Sequence, residues 1–130
     1  MPLDADRIRE LVTAYYAAVS ARDVDVIATL FAPEAVMRDP VGTPPLTNDA
    51  ARRERYALIA AAFASFEMSA QDVIVAGDEA AARWTATGRT PAGKEVRFEG
   101  ISTFAFEASG RISMMSAYFD MASLTAQVQG

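Results

Sequence analysis

The 130-residue chain contains no cysteine and no histidine. Without cysteine there are no disulfides, no thiolate metal sites and no cysteine nucleophile. Without histidine, Ser-His-Asp triads, imidazole acid–base chemistry and most transition-metal sites are excluded. Lysine is almost missing: Lys94 is the only one, within Thr90-Pro91-Ala92-Gly93-Lys94. That stretch reads as a hairpin turn, a poor place for a buried Schiff-base lysine. If the chain is an enzyme, its proton chemistry falls to carboxylates, tyrosines and hydroxyls.

Long hydrophobic runs are also missing. The most apolar stretch, residues 57–66, is far shorter than a membrane span. Asp4, Asp6 and Glu10 interrupt the N-terminus and no basic segment precedes an apolar one, so no signal peptide is expected. The expectation is a soluble, cytoplasmic protein with no membrane partner. Net charge is −5 with a pI near 4.6, which disfavours nucleic acid, because backbone phosphates need a basic footprint. The one basic cluster, Arg52, Arg53 and Arg55, reads as the solvated face of a helix.

What is present is an ordinary globular balance, 52% hydrophobic and 22% charged, at a length that suits a single domain spanning residues 1–130. Residues 4–21 carry Ile8, Leu11, Val12, Tyr15 and Val19 at helical spacing, with Tyr16 on the flank and Asp4 or Asp6 as caps. Asp23 opens a second, short helix through Phe31 that stops at Pro33, and residues 35–38 form a short strand. Asn48 or Asp49 caps a third helix with Tyr56, Ile59 and Phe63 on one face. Four long strands come next, over residues 67–76, 79–89, 96–106 and 111–119, joined by short turns as in an antiparallel meander. Residues 120–128 make a tail with helical character. The order predicts an α+β domain, three N-terminal helices packed on a curved, mainly antiparallel sheet. Its open mouth forms an apolar pocket. Met37, Phe63, Trp84, Phe98, Phe104, Met114, Tyr118 and Phe119 are candidates to line it; core packing is the competing assignment for each.

Met37-Arg38-Asp39-Pro40-Val41-Gly42-Thr43-Pro44-Pro45 stands apart. Pro40 pushes Asp39 toward an extended backbone, and the prolines and Gly42 stiffen the loop after it. A carboxylate at a strand end beside a rigid loop suits a positioned general base; it also suits a turn former. Arg38, next in the strand, should point to the opposite face.

These residues carry a resemblance. Val12-Thr13-Ala14-Tyr15, Ala32-Pro33-Glu34-Ala35 and Met37-Arg38-Asp39-Pro40-Val41-Gly42 resemble, in spacing, the first third of the ketosteroid isomerase family, within the nuclear transport factor 2-like superfamily. The resemblance implies a cone-like fold and isomerisation of a 3-oxo-steroid or similar apolar ketone. It implies Asp39 as general base, Tyr15 as oxyanion donor and Tyr56 as its support. Ketosteroid isomerase is a standard case of such chemistry, with a protonated aspartic acid as second donor. Here Ser102 takes that acid's position, a departure from the pattern that favours another reading, a non-catalytic small-ligand-binding dimer. The resemblance further implies no metal, no organic cofactor, an apolar small-molecule substrate and a homodimer. The end of the chain, Tyr118-Phe119-Asp120 with Leu124, is similar instead to SnoaL-like polyketide cyclases and implies Asp120 as an alternative acid–base; a helix cap is its other assignment.

Overall fold

The computed structural model describes residues 3–129. Each of the first three helices starts where a short polar side chain caps it. Asp4 accepts from the Arg7 N–H (2.8 Å) ahead of α1, Ala5–Ala21. Asp23 accepts from the Val26 N–H (3.1 Å) ahead of α2, Val24–Thr29. Asn48 accepts from the Ala51 N–H (2.8 Å) ahead of α3, Asp49–Ala62. Such caps satisfy N–H groups that have no partner within the helix.

The strands are β1 (Phe31–Arg38), β2 (Ser65–Ala76), β3 (Glu79–Arg89), β4 (Glu95–Phe106) and β5 (Ile112–Phe119); a last helix, α4, spans Met121–Gln129. They form one open sheet in the order β1-β5-β4-β3-β2. β2 to β5 make the expected antiparallel meander, and β1 adds to β5 in parallel, with Met37 beside Met115. The sheet is therefore mixed, with helices covering one face.

Three local expectations change. The second helix ends at Thr29, before Pro33, and Phe31 already belongs to β1. Pro33 is tolerated because β1 is an edge strand whose register breaks between Phe31 and Val36. Tyr16, expected on a flank, is buried with Tyr15, while Leu11 is only half-buried. The arginine cluster is not one solvated face. Arg52 is 2% exposed and donates to the carbonyls of Ala35 (2.7 Å), Ala32 (3.1 Å) and Pro33 (3.2 Å), clamping α3 to β1. Only Arg53 pairs at the surface, with Asp25 and Asp49 (both 2.7 Å).

Alternation along the strands divides the sheet. Ala80, Ala82, Trp84 and Ala86 of β3 and Ser102, Phe104 and Phe106 of β4 turn toward the helices. Ile74, Ile101, Met114 and Tyr118 face outward. Among the described residues, no helix is long and apolar enough to cross a membrane.

Candidate active site

Asp39 comes directly after β1, and its Pro40 bond is cis. The loop is tied down on several sides. The Val41 N–H donates to the Ala117 carbonyl of β5 (2.8 Å), and the Thr43 hydroxyl to the Pro40 carbonyl (2.7 Å). The Arg55 guanidinium of α3 donates to the Asp39 carbonyl. Arg38 turns away, as alternation requires, and donates from Nε to the Ser116 hydroxyl (3.0 Å). Arg38 therefore does not neutralise the Asp39 carboxylate. Burial raises the Asp39 pKa from the ordinary aspartate value, and the positive charge of Arg55 offsets part of that rise.

Beside Asp39 lies a cavity of about 180 Å³ with mostly apolar walls. Tyr15, Tyr56 and Ser102 open into the same cavity, as do Asp39 and Arg55. Helix α1 carries Tyr15, α3 carries Tyr56 and β4 carries Ser102. The Tyr15 and Tyr56 hydroxyls are hydrogen-bonded at 2.7 Å, and the Tyr56 hydroxyl also lies 3.3 Å from Met37 Sδ as a donor. Tyr56 has a single hydrogen: while it goes to Met37, Tyr15 donates to Tyr56, and only when it turns to Tyr15 is the Tyr15 proton free for a ligand oxygen. Burial first, and then the nearby charges, raise the pKa of Tyr15 well above that of an ordinary phenol. Burial and the Asp39 charge do the same to Tyr56. Both stay neutral donors.

Ser102, 3% exposed, accepts from Trp84 Nε1–H at 3.0 Å. That leaves its own hydrogen free to donate. Trp84 reaches Ser102 because its cross-strand partner on β4 is Gly100. A side chain at Gly100 would meet the Trp84 ring at 2.6 Å and the Tyr118 carbonyl at 2.4 Å. Glycine here provides the close approach that lets the indole lie across the strand.

The candidate pocket residues separate into three groups. Phe63, Trp84, Phe98 and Phe119 line the cavity. Met37 and Phe104 are core residues behind it: Met37 supports Tyr56, and the Phe104 ring meets Tyr15 edge-on at 5.3 Å. Met114 and Tyr118 lie on the outer face, 41% and 46% exposed, because each alternates with an inward neighbour, Met115 and Phe119. Asp120 is exposed and outside the cavity; its carboxylate accepts from the Ser123 N–H (3.1 Å) at the start of α4. Sequence reasoning missed Arg55 as a cavity residue, along with Met121 and Leu124 of α4. For Arg55 the available signal was its position one residue before Tyr56. Among the described residues, no three of His, Cys, Asp and Glu come together as a metal-binding set.

Known proteins share much of this chain and its architecture. The chain is 34% identical over 113 residues to a steroid Delta-isomerase of Nocardioides simplex, covering 86% of this chain and 89% of that protein. The fold matches SalBIII, an epoxide hydrolase/cyclase-like enzyme with a role in pyran ring formation in the polyether salinomycin. There the TM-score is 0.83 at 24% identity, over 92% of this chain and 95% of that one. It also matches TerC co-crystallised with polyporic acid, with a TM-score of 0.82 at 17% identity over 95% and 99% of the two chains. An LEH-like epoxide hydrolase of M. tuberculosis gives a TM-score of 0.78 at 17% identity over 95% and 90%. Residues 12–115 match the family described as SnoaL-like domain, and on that match and the isomerase relative together the chain belongs to the SnoaL-like family.

Proposed function

We propose that the protein is an isomerase that moves a β,γ double bond into conjugation in an apolar ketone, a 3-oxo-steroid or a compound of that kind. The observation that carries this reading is the placement of Asp39, Tyr15 and Ser102 in one apolar cavity, a carboxylate of raised pKa among neutral hydroxyl donors. The likeness to a steroid Delta-isomerase supports it. Asp39 removes a proton from the carbon between the carbonyl and the double bond. Negative charge moves to the carbonyl oxygen, where Tyr15 and Ser102 donate hydrogen bonds. The protonated Asp39 then returns the proton to the far carbon of the dienolate. One proton leaves and one returns, with no net redox change. A base of raised pKa suits a weakly acidic C–H, and neutral donors stabilise the enolate without adding a counter-charge that would hold Asp39 ionised.

The cavity is smaller than the roughly 300–1,000 Å³ of common ligand pockets. It takes the reacting ring, and the rest of a larger ligand extends past Met121 and Leu124. Helix α4, which carries these two residues, has no buried residue and can yield. A cyclase or hydrolase reaction through Asp120 is disfavoured, since that carboxylate caps α4 outside the cavity. The outward apolar residues Ile74, Ile101, Met114 and Tyr118 support a homodimer through the outer sheet face, testable by light scattering of Ile101→Arg. The reaction is tested by following conjugated-enone absorbance from a β,γ-unsaturated 3-oxo-steroid with wild type and Asp39→Asn. Turnover that disappears in Asp39→Asn supports the assignment; wild type with no turnover removes it.

A further inference from the structure

Tyr16 is next to Tyr15 on α1 and has no part in the chemistry above. Its ring is buried, edge-on to Phe104 (6.1 Å) and to Tyr15 (5.1 Å). Its hydroxyl is enclosed, and among the described residues it has no hydrogen-bond partner. A buried hydroxyl without a partner is costly, and a phenylalanine would avoid that cost. Phe104, which the Tyr16 ring meets, is two residues from Ser102 on the same buried face of β4, so Tyr16 packs against the face that carries Ser102. In keeping with that placement, the Ser102 hydroxyl lowers the Tyr16 pKa against the effect of burial, and the Asp39 charge raises it. Ser102, for its part, is half-used: Oγ has one donor, Trp84, and one lone pair to spare.

The geometry points to Tyr16 as a positioning residue that acts through Ser102, donating its hydroxyl to the second lone pair of Ser102 Oγ when an oxyanion binds. With Trp84 Nε1–H and Tyr16 O–H both donating to Oγ, the serine has one direction left for its hydrogen, into the cavity. Each incoming bond also polarises that O–H, since chains of hydrogen bonds strengthen one another in a low-dielectric interior. Three neutral groups thereby do the work of a single carboxylic acid donor. The contact completes in the complex, as catalytic hydrogen bonds that are long without ligand commonly do. The inference rests on the reading that Ser102 faces a substrate oxyanion.

The test is a double-mutant cycle with 4-nitrophenol, a probe that carries an oxyanion but undergoes no reaction. Affinity and the fraction bound as phenolate, read from absorbance, are measured for wild type, Tyr16→Phe, Ser102→Ala and the double variant. Expected are roughly tenfold losses of affinity and a lower ionised fraction in each single variant, with the double variant no weaker than Ser102→Ala. Tyr16→Leu, a second variant without the hydroxyl, shows the same non-additivity. For the ketone, Tyr16→Phe lowers kcat about tenfold with KM unchanged, since an interaction made only with developing charge is lost. Additive losses, or a Tyr16→Phe effect that persists without the serine hydroxyl, overturn the relay, as does a wild type that binds no phenolate. Coupling in phenolate binding without ketone turnover keeps the relay and removes the isomerase. Ketone turnover without coupling does the reverse.

Discussion

The polar residues of the cavity fall into two regions built on opposite principles. On the loop after β1, Asp39 carries charge: burial raises its pKa, and Arg55, bonded to its main chain, pulls the other way. On α1, α3 and β4, the Tyr15–Tyr56 pair and Ser102 are neutral hydroxyls held by other neutral groups, the Met37 sulfur and the Trp84 indole. The charged region holds one carboxylate, and burial strengthens its hold on a proton. The neutral region keeps its protons, because burial makes phenolate costly there. The proposed isomerisation calls for both: a base that can take a proton and give it back, and donors that do not compete for it.

Removing the charge erases the contrast most completely. Asp39→Asn should lower turnover of a β,γ-unsaturated ketone by about 10²–10⁴-fold, the range for a positioned acid–base group. Next comes the neutral region: Tyr15→Phe should cost about 10²–10³ in kcat, as for one oxyanion donor, with Tyr56→Phe costing less because its hydroxyl acts through Tyr15. Ser102→Asp probes the boundary between the two regions by placing an acid among the neutral donors. If the new carboxyl stays protonated, kcat rises by about tenfold or more. If it ionises, the enzyme slows, and the pH profile separates the two cases.

Smaller effects fall on stability. Gly100→Ala should destabilise by about 1–3 kcal/mol, because the added methyl meets the Trp84 ring and the Tyr118 carbonyl. It should also weaken the Trp84–Ser102 bond, seen as altered indole fluorescence. The smallest is a pH effect with a definite sign. The folded protein holds the Asp39 proton more tightly than the unfolded chain does, so stability from this group falls as pH rises from the ordinary aspartate value through the raised one. Asp39→Asn should therefore raise Tm at pH 7, and the gain should disappear below about pH 3.9. A Tm gain that persists at low pH would assign it to packing instead.

Much of this was legible in the chain. Alternation along β4 puts Phe98 and Ser102 on one face without any tertiary information, since side chains alternate with period two, and Trp84 of β3 joins them through its pairing with Gly100. The same rule was available for β5, where Tyr118 and Phe119 are adjacent and cannot both enter the cavity; the structure turns Phe119 in and Tyr118 out. Arg52 and Arg55 were less accessible. Three arginines close together on a helix look like a solvated face. Arg52 is buried because α3 packs where the β1 register breaks, within reach of the Ala32, Pro33 and Ala35 carbonyls. Arg55 meets the cavity because the Asp39 carbonyl comes within its reach.

Local structure was written in the order of residues: helix starts in their capping side chains, strands in their alternation, and the stiff loop after Asp39 in its prolines. Each of these depends on neighbours a few residues away. Which acid lies against a cavity, and which hydroxyls share it, was decided by tertiary packing. Asp39 and Asp120 each follow a strand directly, and burial is what separates them: Asp39 opens into a cavity walled by α1, α3, α4 and strands β2 to β5, while Asp120 is exposed. Tyr15 and Tyr16 are both buried, yet Tyr15 meets Tyr56 from 41 residues away and Tyr16 is left beside Ser102. Desolvation and long-range hydrogen bonds set these pKa shifts, and both arise from chain segments distant in sequence.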